Sequence, residues 1–295
     1  MPELPEVETI VRGLNNRALN ILGARFLGVW TDFKKLIKKP NNFEKFKKDL
    51  KGKKIEKVWR RGKNIIFDLK GGISLLVHQK LTGHLLCGKW KKAKGQWRSI
   101  ERGPLDDPMN RFLHLIFYLD NGKQLALSDL RKFAKIELWE TDEFKESREF
   151  KSLGPEPLEK YFTFEKFKKV LSKKGKIKQV LMDQNVIVGI GNIYADEILF
   201  EAKIHPEKDV LKILEKDLKK IYLTTKNILK KAIKARGTST SDFRDLEGKK
   251  GLFGKSLRVY RKTGQKCPRC SATIRRIKIG GRSAHFCPAC QILGD

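Results

Sequence analysis

The sequence predicts an α+β chain of several domains, with a strand-rich first half, a helical middle and a short cysteine-bearing ribbon at the end. Three observations predict it. Between residues 55 and 140, short apolar runs are separated by tight-turn signals. Beyond Leu153-Gly-Pro-Glu-Pro157 the apolar residues recur at helical spacing. Four of the five cysteines form two pairs, Cys267-x2-Cys270 and Cys287-x2-Cys290, sixteen residues apart.

Taken in order, Val7, Ile10, Val11, Leu14 and Ala18 lie at i, i+3, i+4 spacing and predict a first helix that Gly23 stops. Strands are expected over 55–59, 64–69, 73–78, 112–119, 124–127 and 135–139. Gly71-Gly72 and Asn121-Gly122 read as hairpin turns between them. Six or more antiparallel strands with one long helix imply a sandwich or a barrel. The Gly-, Lys- and Pro-rich stretch 88–108 reads as a surface loop. Helices follow over 164–171, 176–183, 193–202 and 210–236, then a polar loop from Gly237 to about residue 254. Residues 257–261 open the terminal ribbon. No internal repeat is present.

Charge narrows the function. The 295 residues carry 65 Lys and Arg against 34 Asp and Glu, a formal +31. Residues 1–150 hold 32 basic and 19 acidic side chains, 151–236 hold 20 and 11, and 237–295 hold 13 and 4. Every segment shares the excess, so no basic tail explains it. Lysines outnumber arginines 47 to 18, and part of that surplus serves solubility. With 40% hydrophobic residues the chain can bury a core. No apolar run reaches the roughly 18 residues of a membrane span, and no secretory signal opens the chain. The expected protein is therefore cytoplasmic, with a polyanion as partner, nucleic acid first.

Two close cysteine pairs on two turns supply four thiolates at tetrahedral reach, the ligand set of one structural Zn²⁺ per chain. Ile274, Ile277 and Ile279, a Gly280-Gly281 turn and Ala284-His285-Phe286 form a hairpin between the pairs. Two disulfides would use the same residues, but nothing places the chain in an oxidising compartment. His285 could also donate, although four cysteines already complete a site. Cys87 has no partner in this scheme and is expected to be a small buried hydrophobe.

Pro2 follows the initiator methionine. A terminal proline, once exposed, presents a secondary amine, and α-amino groups titrate near pH ~8. Such an amine can attack a sugar C1′ and form an iminium, and Glu3 and Glu6 lie beside it in sequence as proton donors. Proline at the head of a helix also serves as an ordinary first-turn residue. The neighbouring sequence chooses between these readings.

Pro2-Glu-Leu-Pro-Glu-Val-Glu8 with a terminal four-cysteine ribbon resembles the formamidopyrimidine-DNA glycosylase family of base-excision repair enzymes. The resemblance runs on through Arg60-Arg61-Gly62-Lys63, Leu153-Gly-Pro-Glu-Pro-Leu158, Leu181-Met-Asp-Gln184, Gly189-Ile-Gly-Asn-Ile-Tyr-Ala-Asp-Glu-Ile-Leu-Phe200, Val259-Tyr260 and Gly281-Arg282. It implies an N-terminal catalytic β-sandwich domain with a long helix over 2–150 and a helix-two-turn-helix DNA-binding domain over 151–236. A lesion-capping loop over 237–256 and a zinc finger over 257–295 complete the arrangement.

The resemblance also implies roles. Pro2 would be the nucleophile and Glu3 the proton donor. Lys63 and Arg282 would meet phosphates around the extruded nucleotide and assist elimination, and crowded phosphates do call for such cations. Arg131, Phe133 and Leu81 would fill the gap left in the duplex. Lys173, Lys178, Asn192 and Glu6 would join the DNA-facing group, with Asn192 either a phosphate ligand or a plain helix cap. The implied activity is that of a bifunctional glycosylase and AP lyase on oxidised purines in double-stranded DNA, acting as a monomer, nucleoid-associated in a prokaryote. The alternatives are an endonuclease VIII-like enzyme for oxidised pyrimidines and a non-catalytic zinc-dependent DNA-binding protein. The chain departs from the family pattern at Leu81, where methionine is usual, at Leu130 for proline, and at Arg111-Phe112 for Lys-His. His114 keeps the pattern and is expected to be structural. The loop over 237–253 is expected to be a mobile lid.

Overall fold

The computed structural model describes residues 1–172, 174–240 and 242–293. They form two compact units, one within 1–151 and 235–254 and one within 152–234 and 255–293.

The first unit holds α1 (Leu4–Leu14), β1 (Phe26–Thr31), β2 (Ile37–Lys39), α2 (Phe43–Leu50), β3 (Ile55–Arg61), β4 (Asn64–Leu69), β5 (Ile73–His78), β6 (His84–Gly88), β7 (Trp90–Ala93), β8 (Gln96–Ser99), β9 (Leu113–Leu119), β10 (Gln124–Ser128), β11 (Lys135–Glu140), α3 (Thr141–Glu146) and α4 (Arg148–Lys151). A four-stranded sheet runs β1-β9-β10-β6 and a five-stranded sheet β2-β11-β5-β4-β3. Alternation decides which side chains meet. Phe26, Leu115, Phe117 and Leu127 of one sheet share a core with Ile65, Phe67, Val77 and Ile136 of the other. This is a sandwich, and Val7, Ile10 and Leu14 press α1 into the same core. Each such side chain contributes about 1.5–3 kcal/mol when fully buried.

The helix is shorter than its spacing predicts. It ends at Leu14, where the Asn15 amide donates to the carbonyls of Val11 and Val58, and Asn16 caps a separate 3-10 turn over Arg17–Leu19. Stretch 88–108, expected as a loop, instead contains the antiparallel β7–β8 hairpin. The returning segment 235–254 belongs to the first unit as well. Leu246 enters the core, its carbonyl accepts the Cys87 N–H at 2.8 Å, and a Cβ on Gly13 would approach it to 3.1 Å. Burial pushes the Cys87 thiol up to about 11, as a buried small hydrophobe should behave.

The second unit holds α5 (Phe164–Leu171), α6 (Ile177–Met182), α7 (Asn192–Ala202), α8 (Glu215–Lys234), β12 (Arg275–Ile279) and β13 (Arg282–Phe286). The last helix starts later than its apolar spacing suggests, because Asp209 caps a separate 3-10 turn at Val210–Lys212. No described helix is long and apolar enough to cross a membrane.

Candidate active site

The chain start is built around buried carboxylates. Glu3 and Glu6 are each 1% exposed. Glu6 Oε2 accepts the Glu3 N–H at 2.8 Å, closing the first turn of α1, and Glu6 Oε1 accepts the Thr238 N–H at 2.6 Å. A Cβ on Gly237 would come within 2.8 Å of Glu6, so only glycine lets that turn lie here. Glu6, expected in the DNA-facing group, is thus turned inward and positions the chain start. Burial pulls the Met1 amine below its ordinary 8.0, and Lys63 pushes the same way against Glu3, Glu6 and Asp242. The Met1 amine thus sits among acids and close to Lys63.

Lys63, 8% exposed, sits in the two-residue turn between β3 and β4, where Gly62 takes φ +57°. Arg60 fixes that turn, donating to the Gly62 carbonyl and to Glu8, both at 3.0 Å. Burial opposes the Glu8 charge, but Arg12 and Arg60 outweigh it and hold the carboxyl below its usual range. Glu8 and Arg60 are thus the clamp between α1 and the Lys63 turn. Both stand inside the sequence blocks singled out above, yet nothing in the sequence pairs them.

Leu81, Arg131 and Phe133 come together through a residue that sequence reasoning passed over. Asp129 is fully buried and accepts the Thr82 hydroxyl, the N–H groups of Phe133 and Ala134 at 2.8 Å, and that of Arg131 at 3.3 Å. Thr82 follows Leu81, so one carboxylate ties both loops. Phe133 stays 49% exposed, and the Arg131 guanidinium lies 4.6 Å from its ring centroid. Gly83 closes the other loop, since a Cβ there would strike the Gln79 carbonyl at 2.4 Å. His78, at the end of β5, accepts the Lys80 N–H on Nδ1. Burial, with Lys80, Lys63 and Lys135, pushes it down to about 3, so the ring stays neutral near pH 7. His114 is structural, paired with Asp32 at 2.9 Å.

The 237–253 stretch is anchored more firmly than a free lid. Phe243, Arg244, Asp245 and Leu246 are buried. Arg244 makes a two-pronged pair with Asp107, each bond 3.0 Å, and Asp245 accepts the Lys249 N–H while pairing with Arg236.

In the second unit, Gln184 stitches the turn before α7. Its amide donates to the carbonyls of Met182 and Ile190 and accepts the Gly189 N–H at 2.9 Å, with Gly189 at φ +89°. Gly191 occupies the cap position and Asn192 the first helical one, so Asn192 is not a plain cap. Its buried Oδ1 has no protein partner. Lys178 departs from expectation. It is 1% exposed, and its ammonium bonds Asp196 at 2.6 Å and the Ser283 carbonyl. Asp196 also accepts the His285 N–H and pairs with its Nδ1 at 2.7 Å. Lys178 thus holds the β12–β13 hairpin on α7. Lys173 lies outside the described residues. Arg282 is exposed, beside the tight Gly280-Gly281 turn that closes the hairpin.

The sulfurs of Cys267, Cys270, Cys287 and Cys290 lie within 4.8 Å of one another, with three pairs at 3.4–3.9 Å. A disulfide needs about 2.05 Å. Four sulfurs about 2.3 Å from a tetrahedral zinc stand about 3.8 Å apart. The Ala272 N–H lowers Cys270 to about 7, whereas burial pushes Cys290 up to about 12. Four thiolates at this spacing need a dication to ionise together, and the cluster fits zinc. His285 is turned to Asp196 instead. Nearby, buried Glu197 accepts the N–H groups of Arg258, Val259 and Tyr260, and Arg269 bonds the Phe200 carbonyl. The finger is therefore seated on α7 from both ends. Chelation should unfold the hairpin and leave the sandwich intact, read as loss of amide protection over 264–292 but not over 113–128.

A β-sandwich with a buried acidic chain start and a helical unit carrying a four-cysteine finger are the architecture that the sequence resemblance implies. Comparison with known proteins makes the class specific. Residues 1–136 match the formamidopyrimidine-DNA glycosylase N-terminal domain, 153–244 its H2TH domain, and 264–292 the zinc finger found in FPG and IleRS. A formamidopyrimidine-DNA glycosylase of Pelotomaculum thermopropionicum is 40% identical over 292 residues, covering 99% of both chains. A Lactococcus lactis FPG variant in complex with Fapy-dG-containing DNA is 37% identical with a TM-score of 0.84, covering 99% of this chain and 100% of that one. The same organism's Fpg bound to abasic-site DNA has a TM-score of 0.83 and 37% identity, covering 98% and 99%. The chain belongs to the formamidopyrimidine-DNA glycosylase family. It is a DNA-binding repair glycosylase with one structural zinc.

Proposed function

We propose that the protein is a bifunctional glycosylase and AP lyase for oxidised purines, chiefly 8-oxoguanine and formamidopyrimidines in duplex DNA. The observation that carries this reading is the chain start, where the terminal residue lies among buried Glu3, Glu6 and Lys63. With Met1 removed, the Pro2 nitrogen attacks C1′ of the damaged nucleotide, and the bond from C1′ to the base breaks. Glu3 gives its proton to the departing base or ring oxygen. The resulting iminium makes the C2′ proton acidic. β-Elimination then breaks the bond to the 3′ oxygen, δ-elimination the bond to the 5′ oxygen, and both strand ends keep phosphate.

Lys63, on its clamped turn, meets the phosphate beside the lesion, and Arg282 contacts phosphates around the extruded nucleotide. Zinc holds the hairpin that carries Arg282. Leu81, Arg131 and Phe133 fill the vacated stack, with the exposed Phe133 ring as wedge. Asn192 offers an amide and the start of α7 to a backbone phosphate. The segment 237–256 covers the lesion from an anchored base. The enzyme works as a monomer on damaged double-stranded DNA, in the cytoplasm and on the nucleoid of a prokaryote.

Leu4 favours purines over the oxidised-pyrimidine reading, whose usual start carries glycine there. A paired panel of 8-oxoguanine and thymine glycol duplexes tests the choice. Faster cleavage of 8-oxoguanine, with phosphate at both new ends, is expected. Faster cleavage of thymine glycol would overturn the lesion assignment.

A further inference from the structure

The β7–β8 hairpin and the turns over 104–111 cover the outer face of the four-stranded sheet. They enclose a cavity of about 920 Å³, within the roughly 300–1,000 Å³ of small-ligand sites. Its walls are aromatic. Trp30 of β1 and Trp97 of β8 meet edge to face with centroids 5.0 Å apart, and Phe112 lines the same space. Trp97 is only partly buried, yet its indole N–H is enclosed without a protein acceptor, the mark of a missing partner.

The cavity is also cationic. Lys92, Arg98 and Arg111 line it, all exposed. Residues 89–99 carry five Lys and Arg and no Asp or Glu. Asp32, oriented by His114 at 2.9 Å, places one acceptor at the same site. Rings for stacking, cations for phosphate and a carboxylate, Asp32 beside Asp106, for an exocyclic amine form the combination that holds unpaired nucleotides. An apolar peptide would not call for Lys92, Arg98 and Arg111, and a bare anion would not call for the rings.

We propose that this cavity binds an unpaired nucleotide, its base against the Trp30–Trp97–Phe112 wall and its phosphate at Lys92 and Arg98. None of these residues belongs to the catalytic constellation above, so the site adds a second nucleic-acid contact to the protein. Two sources share this chemistry, a free mononucleotide and an unpaired nucleotide within a DNA strand.

Photocrosslinking of the full chain tests the proposal and separates the sources. One arm uses 5-iodo-2′-deoxyuridine monophosphate, the other a single-stranded thymidine oligonucleotide carrying one 5-iodouracil, with adducts mapped by mass spectrometry. Adducts on Trp97, Trp30 or Phe112 are expected in at least one arm, and the arm that gives them names the source. Trp97→Ala should cut the yield about tenfold. Because that change could loosen the hairpin, Lys92→Glu with Arg98→Glu, both on exposed side chains, should weaken binding about tenfold with circular dichroism unchanged. Adducts confined to other segments in both arms, no adducts at all, or yields unchanged in both variants would overturn it.

Discussion

Glu3→Gln is expected to lower base excision by about 10²–10⁴-fold, the usual contribution of a positioned general acid, with duplex binding retained. The side chain is 1% exposed, and its backbone N–H is already held by Glu6. Glutamine keeps the shape but has no acidic proton to give. Single-turnover rates on an 8-oxoguanine duplex measure the effect, and a loss below threefold would remove Glu3 from the chemistry. Glu6→Gln supplies the contrast. Glu6 accepts the backbone N–H groups of Glu3 and Thr238, so its loss should act first on stability and on the 237–238 turn.

Asp196→Ala should destabilise the helical and zinc-finger unit by about 3–5 kcal/mol, the cost of stripping one partner from a buried ion pair. Asp196 is 1% exposed and bonds the Lys178 ammonium, the His285 ring and the His285 N–H. Its removal takes the carboxylate 2.6 Å away from a 1%-exposed ammonium. Urea unfolding separates the effect by unit. All five tryptophans lie in the sandwich unit, so their fluorescence should hardly move while the helical circular dichroism melts early. Lys178→Met combined with Asp196→Leu should recover much of the loss, because apolar replacement of a buried pair is often neutral. A stability change under 1 kcal/mol for the single variant would show that the pair holds nothing together.

Much of this was legible in the sequence because pattern and chemistry agreed. The expected strands over 64–69 and 73–78 coincide with β4 and β5, where turn glycines bound short apolar runs. The two cysteine pairs read directly as one metal cluster. The β7–β8 hairpin was hidden because its outward residues are lysines, which looked like a solvated loop, while Trp90 and Trp97 carry the burial. The short β1, β2 and β6 gave no clear alternation of their own. Motif membership identified Lys178 and Glu6 but not the direction of their side chains, and both turn inward. Asp129 and Gln184 were illegible for a different reason: each satisfies backbone groups of a loop, and such partners have no fixed sequence spacing.

The central claim is that the amine of Pro2 performs the chemistry. Borohydride reduction on an abasic-site duplex, followed by mass analysis of the N-terminal peptide, tests it most directly. A chain lacking Met1 with DNA covalently bound at Pro2 is predicted, with Pro2→Gly losing far more trapping than binding and Arg282→Ala losing both. A mature chain that begins at Pro2 and yields no adduct, or an adduct carried by Lys63, would contradict the account.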